Sequence, residues 1–176
     1  LTFSMGITLK QGSYFQNKRT MDIKINQNCK FFNPDSPCIY HKADKRLCSD
    51  CSKYFKIDGT ILIIKKEAAG DVLRTTCILE PLRRKFPSHR IIWFTARKNK
   101  DVLEGNPYID TVWTEEPEVL MALSFFRFDI VINLDLSFDS LTVAGTVDNH
   151  TFYGFKYLKD GNIFYSSKAA QEWFLM

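Results

Sequence analysis

Residues 60–95 read TILIIKKEAAGDVLRTTCILEPLRRKFPSHRIIWFT, and three textures follow one another in that stretch. Residues 60–65 (TILIIK) form a continuous apolar run of strand length, rich in Ile, as expected of a strand covered on both faces. Residues 71–86 then keep helical spacing through Val72, Leu73, Thr76, Leu79 and Leu82, with Arg83, Arg84 and Lys85 suited to the negative end of a helix dipole. Pro81 inside that pattern predicts a kink or an early end. Residues 90–95 (RIIWFT) form a second strand.

The same alternation continues outward. A short helix is expected over 98–104, a strand over 111–114 (TVWT), and a helix over 117–127 with Pro in its opening turn. A strand over 129–134 (DIVINL), a helix over 138–147 and a strand over 151–155 complete the series. Strands alternating with helices at this spacing indicate βαβ units, hence an α/β, Rossmann-like parallel sheet with helices on both faces. The chain organisation expected is a poorly ordered tail over 1–28, a cysteine-rich segment over 29–58 and the Rossmann-like domain over 59–176.

Composition bounds this reading. The 176 residues are 45% hydrophobic and 25% charged, enough apolar surface to offset the entropy of ordering and to exclude an intrinsically disordered chain. Residues 119–126 are the longest apolar stretch and are too short to span a bilayer. The opening LTFSMGITLKQG lacks the charged start and long apolar run of a signal peptide, so an intracellular protein is expected. Met21 is a candidate natural start. The net charge of +4 is unevenly spread: residues 1–58 hold ten Lys/Arg against five Asp/Glu, and residues 59–176 hold fourteen against fifteen. A nucleic-acid binder would show a denser basic face, and no nucleic-acid partner is expected. A competing reading would use Phe31, Phe32 and Tyr40 as stacking rings for RNA or DNA.

Two constellations carry chemistry. Cys29-x8-Cys38-x9-Cys48-x2-Cys51 places four thiols within 23 residues. A CxxC pair sets two thiolates on one tight turn, and the earlier two would complete a tetrahedral site, with His41 as an alternative nitrogen ligand. Zinc stands ahead of iron–sulfur, in a structural site that staples a segment poor in apolar residues. Lys30, Lys42, Lys45 and Arg46 would offset the net negative charge of a four-thiolate site. The plainer alternative is four unrelated reduced thiols.

The second constellation is the turn after the first strand, Lys65-Lys66-Glu67-Ala68-Ala69-Gly70-Asp71. In open α/β sheets ligands bind at the carboxyl ends of strands, so this turn faces any cleft. Gly70 would allow a turn or a close backbone approach. Asp71 is either the N-cap of the helix or a general base, and capping bonds would weaken its basicity. The turn lacks G-x-G-x-x-G and is no phosphate-binding Walker loop.

Taken in order, ILIIKKEAAGDVLRTTCILEPLRRKFP, RIIWFTARKNKDVLEGNPYIDTVW, FDIVINLD and YGF resemble glycosyltransferase family 9, the heptosyltransferases of bacterial lipopolysaccharide synthesis. The resemblance covers about residues 60–176. The cysteine segment resembles an N-terminal extension found in a subgroup of such proteins, with cysteines in a similar order. The resemblance implies the N-terminal, acceptor-holding half of a GT-B fold. A C-terminal half, absent here, would bind the nucleotide-sugar donor, typically ADP-heptose. Asp71 would then be the catalytic base for attack by a glycan or lipid-linked sugar acceptor, with inversion and without a catalytic metal. Gly70 would be the turn residue beside it, and Thr75 and Thr76 would line the helix start.

Lys65 and Arg74 are placed to meet acceptor phosphate or carboxylate groups, with a solvated surface role as the default. Asn133 and Asp135 are expected to cap the following helix, and Cys77 to be a buried helix residue. Without its donor half the chain is expected to bind acceptor weakly and to catalyse nothing. A cytoplasmic location, with peripheral contact at the inner membrane, is implied too. The alternative function is a non-catalytic, zinc-containing Rossmann-like binding module.

Overall fold

A computed structural model describes residues 24–175. Six strands make one sheet: β1 (Gly59–Ile64), β2 (His89–Phe94), β3 (Thr111–Trp113), β4 (Arg127–Asn133), β5 (Asp148–Tyr157) and β6 (Ile163–Tyr165), in the order β3-β2-β1-β4-β5-β6. The first five are parallel; β6 runs antiparallel to β5. The helices are α1 (Ile39–Asp44), α2 (Ala69–Thr75), α3 (Leu79–Lys85), α4 (Lys100–Leu103), α5 (Pro117–Leu123), α6 (Phe138–Thr146) and α7 (Lys168–Phe174). This is an α/β Rossmann-like domain.

The apolar run of β1 is explained by burial on both sides. Leu62 and Ile64 join Ile92, Phe94, Val131 and the buried residues of α5 and α6 in one core. Ile61 and Ile63 join Ile91, Trp93 and Ile130, with Val72, Leu79 and Leu103 from α2, α3 and α4, in the other. Burying an aliphatic side chain of this size is worth about 1.5–3 kcal/mol, so the central strand is held chiefly by its helices.

The single helix expected over 71–86 is two helices joined by a 3₁₀ turn, Thr76–Ile78. The break falls upstream of Pro81, which thereby sits in the first turn of α3, where its missing N–H costs no intrahelical bond. Thr75 Oγ1 bonds the carbonyls of Asp71 and Val72 at 2.9 and 2.8 Å, and Thr76 Oγ1 that of Leu73 at 2.7 Å; such back-bonding bends helices. Cys77, on this turn, is exposed rather than buried.

The hairpin β5–β6 and helix α7 extend beyond the sequence expectation. Leu158 N bonds Asn162 O at 2.8 Å across a turn with Gly161 at φ 82°, and Ser167 accepts from Ala170 N to cap α7. Gly154 has φ 103°, and a Cβ there would lie 1.8 Å from Asn133 O; only glycine lets β5 approach β4 this closely.

The cysteine segment docks at the amino ends of β1 and β2. Cys29 bridges Lys56, Arg90 Nη2 donates to Cys29 O at 3.4 Å, and Lys30 pairs with Asp110 at 3.1 Å. Of the tail expected over 1–28, residues 1–23 and the candidate start Met21 lie outside the described residues. Asn26 Nδ2 bonds Cys48 O at 3.2 Å, and Tyr54 Oη donates to Asn28 Oδ1 at 3.0 Å.

Candidate functional site

The sheet reverses its winding between β1 and β4, so the loops leaving their carboxyl ends border the crevice where open α/β sheets bind ligands. Here β1 delivers Lys65 to Asp71, and β4 delivers Asn133 to Ser137.

The two loops are locked by one carboxylate. Asp135, buried, accepts from Lys65 Nζ and from the backbone N–H of Lys66 through close contacts, and from Glu67 N at 3.2 Å. Its own N–H donates to Asn133 Oδ1 at 3.0 Å, while Asn133 Nδ2 donates to Phe155 O at 2.7 Å. Neither residue caps α6; Ser137 does so, accepting from Ser140 N. The expected capping roles are replaced by a clamp because β4 stops at Asn133, two positions short of Asp135 and four short of the helix cap.

Lys65 is likewise no surface residue: its side chain is 10% exposed and pairs with Asp135. Lys66 is buried as well, its amine on Asp139 near the start of α6. Its ammonium lies 5.9 Å from the Phe94 ring centroid, and its carbonyl accepts from Asn99 Nδ2 at 2.5 Å. Trp93 Nε1 donates to Lys65 O at 3.2 Å. Thr95, fully buried at the end of β2, has an Oγ1 without a hydrogen-bond partner among the described residues.

Beyond this clamp the loop opens to solvent. Ala68, Ala69 and Gly70 are exposed. Helix α2 starts at Ala69, behind the N-cap position Ala68, which makes no side-chain cap bond. Asp71 is therefore the third helical residue, not the cap. Its side chain is 46% exposed and meets Arg74 Nη2 at 2.5 Å, an (i, i+3) surface pair of the kind worth about 0–1 kcal/mol. A substrate hydroxyl can displace such a partner at little cost.

Gly70 is not a turn residue either. It lies inside α2 without a positive φ, and a Cβ there would meet nothing within 4 Å. Packing among the described residues gives it no reason to be glycine. Thr75 and Thr76 stand at the end of α2 and just past it, not at its start, with hydroxyls committed to backbone carbonyls. Gly70 and Asp71 thus lie in the first turn of α2, after the carboxyl end of β1, and the two threonines lie at its far end. Lys65, Lys66 and Asp135 form the supporting shell; their burial was hidden because Lys and Asp read as surface residues out of context.

The cysteines lie elsewhere. Cys29, Cys38, Cys48 and Cys51 all line one cavity of about 450 Å³ in the segment before β1, together with His41, Phe31, Phe32 and Tyr40. Phe31 and Tyr40 pack edge to face at 4.9 Å between centroids, half-buried on the cavity wall rather than presented as an open stacking platform. His41 Nδ1 is 2.9 Å from Arg46 O. Among the described residues no three metal-ligating side chains converge closely enough to hold an ion as they stand. β1 separates this segment from the crevice by six residues, roughly 20 Å of strand.

No family model and no curated protein matches the chain. Among solved structures, a glycosyl transferase family 9 protein from Veillonella parvula superposes with a TM-score of 0.50 at 26% identity, over 57% of this chain and 32% of that one. E. coli heptosyltransferase WaaC with ADP gives 0.48 at 17% identity, over 54% and 34%. WaaC with ADP-2-deoxy-2-fluoro heptose gives 0.46 at 16%, over 54% and 36%. The match takes in about a third of the length of each of these proteins. The fold expected from the motif order is therefore found: the domain is like that of glycosyl transferase family 9. No helix among the described residues is long and apolar enough to cross a membrane.

Proposed function

We propose that this chain is the acceptor-binding half of a heptosyltransferase-like glycosyltransferase, with Asp71 as its general base. The observation that carries the reading is the exposed Gly70–Asp71 step, held at the switch between β1 and β4 by the Asp135 clamp. The likeness to the Veillonella glycosyl transferase supports it.

The chemistry follows from the position of the carboxylate. An acceptor hydroxyl seated against the open face of Gly70 gives its proton to Asp71 as its oxygen attacks the anomeric carbon of a nucleotide-sugar, ADP-heptose in type. The diphosphate leaves with the electron pair of the broken bond, and the anomeric centre inverts. In this step the acceptor hydroxyl takes the place of Arg74 against the Asp71 carboxylate. The clamp holds the turn in one geometry, so less ordering is needed when the acceptor binds. No metal enters these steps.

Stabilising the leaving diphosphate falls in this proposal to the donor-binding half of a GT-B fold. The acceptor is a glycan or lipid-linked sugar, met in the bacterial cytoplasm at the face of the inner membrane. Titration of the isotope-labelled chain tests the assignment. A lipopolysaccharide inner-core oligosaccharide should shift the amide signals of residues 66–72, and ADP-heptose should not. Donor binding at these amides without acceptor binding would refute the assignment. Shifts that persist for unrelated small molecules, with no transfer in a donor-complete protein, would favour a non-catalytic binding module.

A further inference from the structure

We infer that Cys29, Cys38, Cys48 and Cys51 bind one zinc ion as four thiolates, in a structural site at the amino end of the sheet. This is independent of the glycosyltransferase reading, for the segment lies at the opposite end of β1 from Asp71.

Three local devices bring the thiols to one cavity. Cys29 sits in the antiparallel bridge to Lys56, flanked by Lys30 N to Phe55 O at 2.8 Å and Ile57 N to Asn28 O at 2.7 Å. Cys38 is the N-cap residue of α1, whose far end turns back at Lys45 with φ 59°, a conformation uncommon outside glycine. Cys48 opens a 3₁₀ turn through Asp50, and Cys51 closes it. The Cys48 carbonyl is held by Asn26, and the Cys51 carbonyl by Tyr54 N at 3.1 Å. All four residues line the same 450 Å³ cavity, half-buried and free of disulfides, whereas Cys77 does not.

The segment also needs a staple. Not one residue from 24 to 58 is fully buried, so it has no core of its own to offset the entropy of ordering some thirty residues. The edge-to-face contact of Phe31 with Tyr40 joins α1 to the Cys29 turn. A tetrahedral ion supplies the missing constraint, as in small metal-folded modules. As they stand no three of the thiols converge closely enough to hold an ion, so binding would require them to close on it. Four S–H groups lose their protons as four Zn–S bonds form. The resulting local charge of −2 falls in a segment that carries Lys30, Lys42, Lys45 and Arg46, of which Lys30 and Arg46 also pair with Asp110 and Asp44. His41 stays outside the shell, with Nδ1 on Arg46 O.

The test uses the whole chain, purified under reducing conditions, stripped with a chelator and titrated with Zn²⁺ alone. One equivalent should bind tightly with release of close to four protons per ion at a pH below the thiol range. Cys77→Ser and His41→Ala should each still bind one equivalent, and Cys48→Ser should bind less than a tenth. If Cys48→Ser does not fold, the stoichiometry of the unaltered chain decides. Fewer than 0.5 zinc per chain overturns the inference, as does iron in place of zinc in protein purified from cells, or loss of the ion in Cys77→Ser.

Discussion

Replacing Asp135 by Asn probes the clamp under the crevice. The carboxylate serves three donors at once, the Lys65 ammonium and two successive backbone amides, in a buried setting. Asn keeps one oxygen for the amides but offers Lys65 a neutral group, leaving a buried ammonium without a counter-charge. Breaking a buried pair from one side costs about 3–5 kcal/mol. The two amides retain an acceptor, so we expect the lower end, about 3 kcal/mol, a large share of the roughly 5–15 kcal/mol that holds a domain together. Lys65→Met alone strands the carboxylate, though the amides still hold it, and should cost about 2 kcal/mol. The double variant removes both charges, and its cost should fall short of the sum of the singles by about 2 kcal/mol, within the range of coupled neighbours. Urea unfolding of the four proteins measures this cycle. Amide exchange at Lys66 and Glu67 should accelerate in Asp135→Asn while the core of β1 is spared. Additivity within about 0.3 kcal/mol, or a cost for Asp135→Asn below about 0.5 kcal/mol, would refute the clamp.

Other outcomes follow from single residues. Gly70→Ala should raise stability by up to about 1 kcal/mol, because the position is helical and the new methyl meets nothing; a loss in thermal unfolding would contradict that placement. Gly154→Ala should cost at least about 2 kcal/mol, since its Cβ would meet Asn133 O while φ stays positive; a neutral result would mean that β5 does not approach β4 as described. Burial pushes the Asp110 carboxyl up, but the Ile91 amide, Arg83 and Lys30 outweigh it and hold its pKa below the ordinary value. Its contribution is therefore complete above the unfolded value of roughly 3.9 and is lost as the pH falls through the lower folded value. Denaturant midpoints of Asp110→Asn should fall less steeply than wild type over that acid range; parallel slopes would show that Asp110 does not contribute to the acid dependence.

Much of the sheet was legible because burial on both faces leaves an unbroken apolar run, and TILIIK and RIIWF are such runs. The helix boundaries were less so. Threonine back-bonding at 75 and 76 breaks the first helix before Pro81 does, and periodicity alone does not register that. The β5–β6 hairpin carried a readable Asp160–Gly161 signal that the alternation of strands and helices obscured. At the site, sequence alone puts Gly70 and Asp71 on the turn after β1, whereas both lie in the first turn of α2, which begins two residues earlier than expected. The buried partnership of Lys65 with Asp135 joins residues 70 apart, a separation at which no local pattern speaks.

In the proposed reaction Asp71 takes the proton from an acceptor hydroxyl. Asp71→Asn in a protein that carries both this domain and a donor-binding half, assayed for heptose transfer from ADP-heptose, tests it most directly. Loss of a general base should lower kcat by roughly 10²–10⁴-fold, with acceptor binding and the unfolding midpoint unchanged. A fall of less than tenfold with the acceptor still bound would show that the proton goes elsewhere, and that Asp71 is no more than a surface residue paired with Arg74.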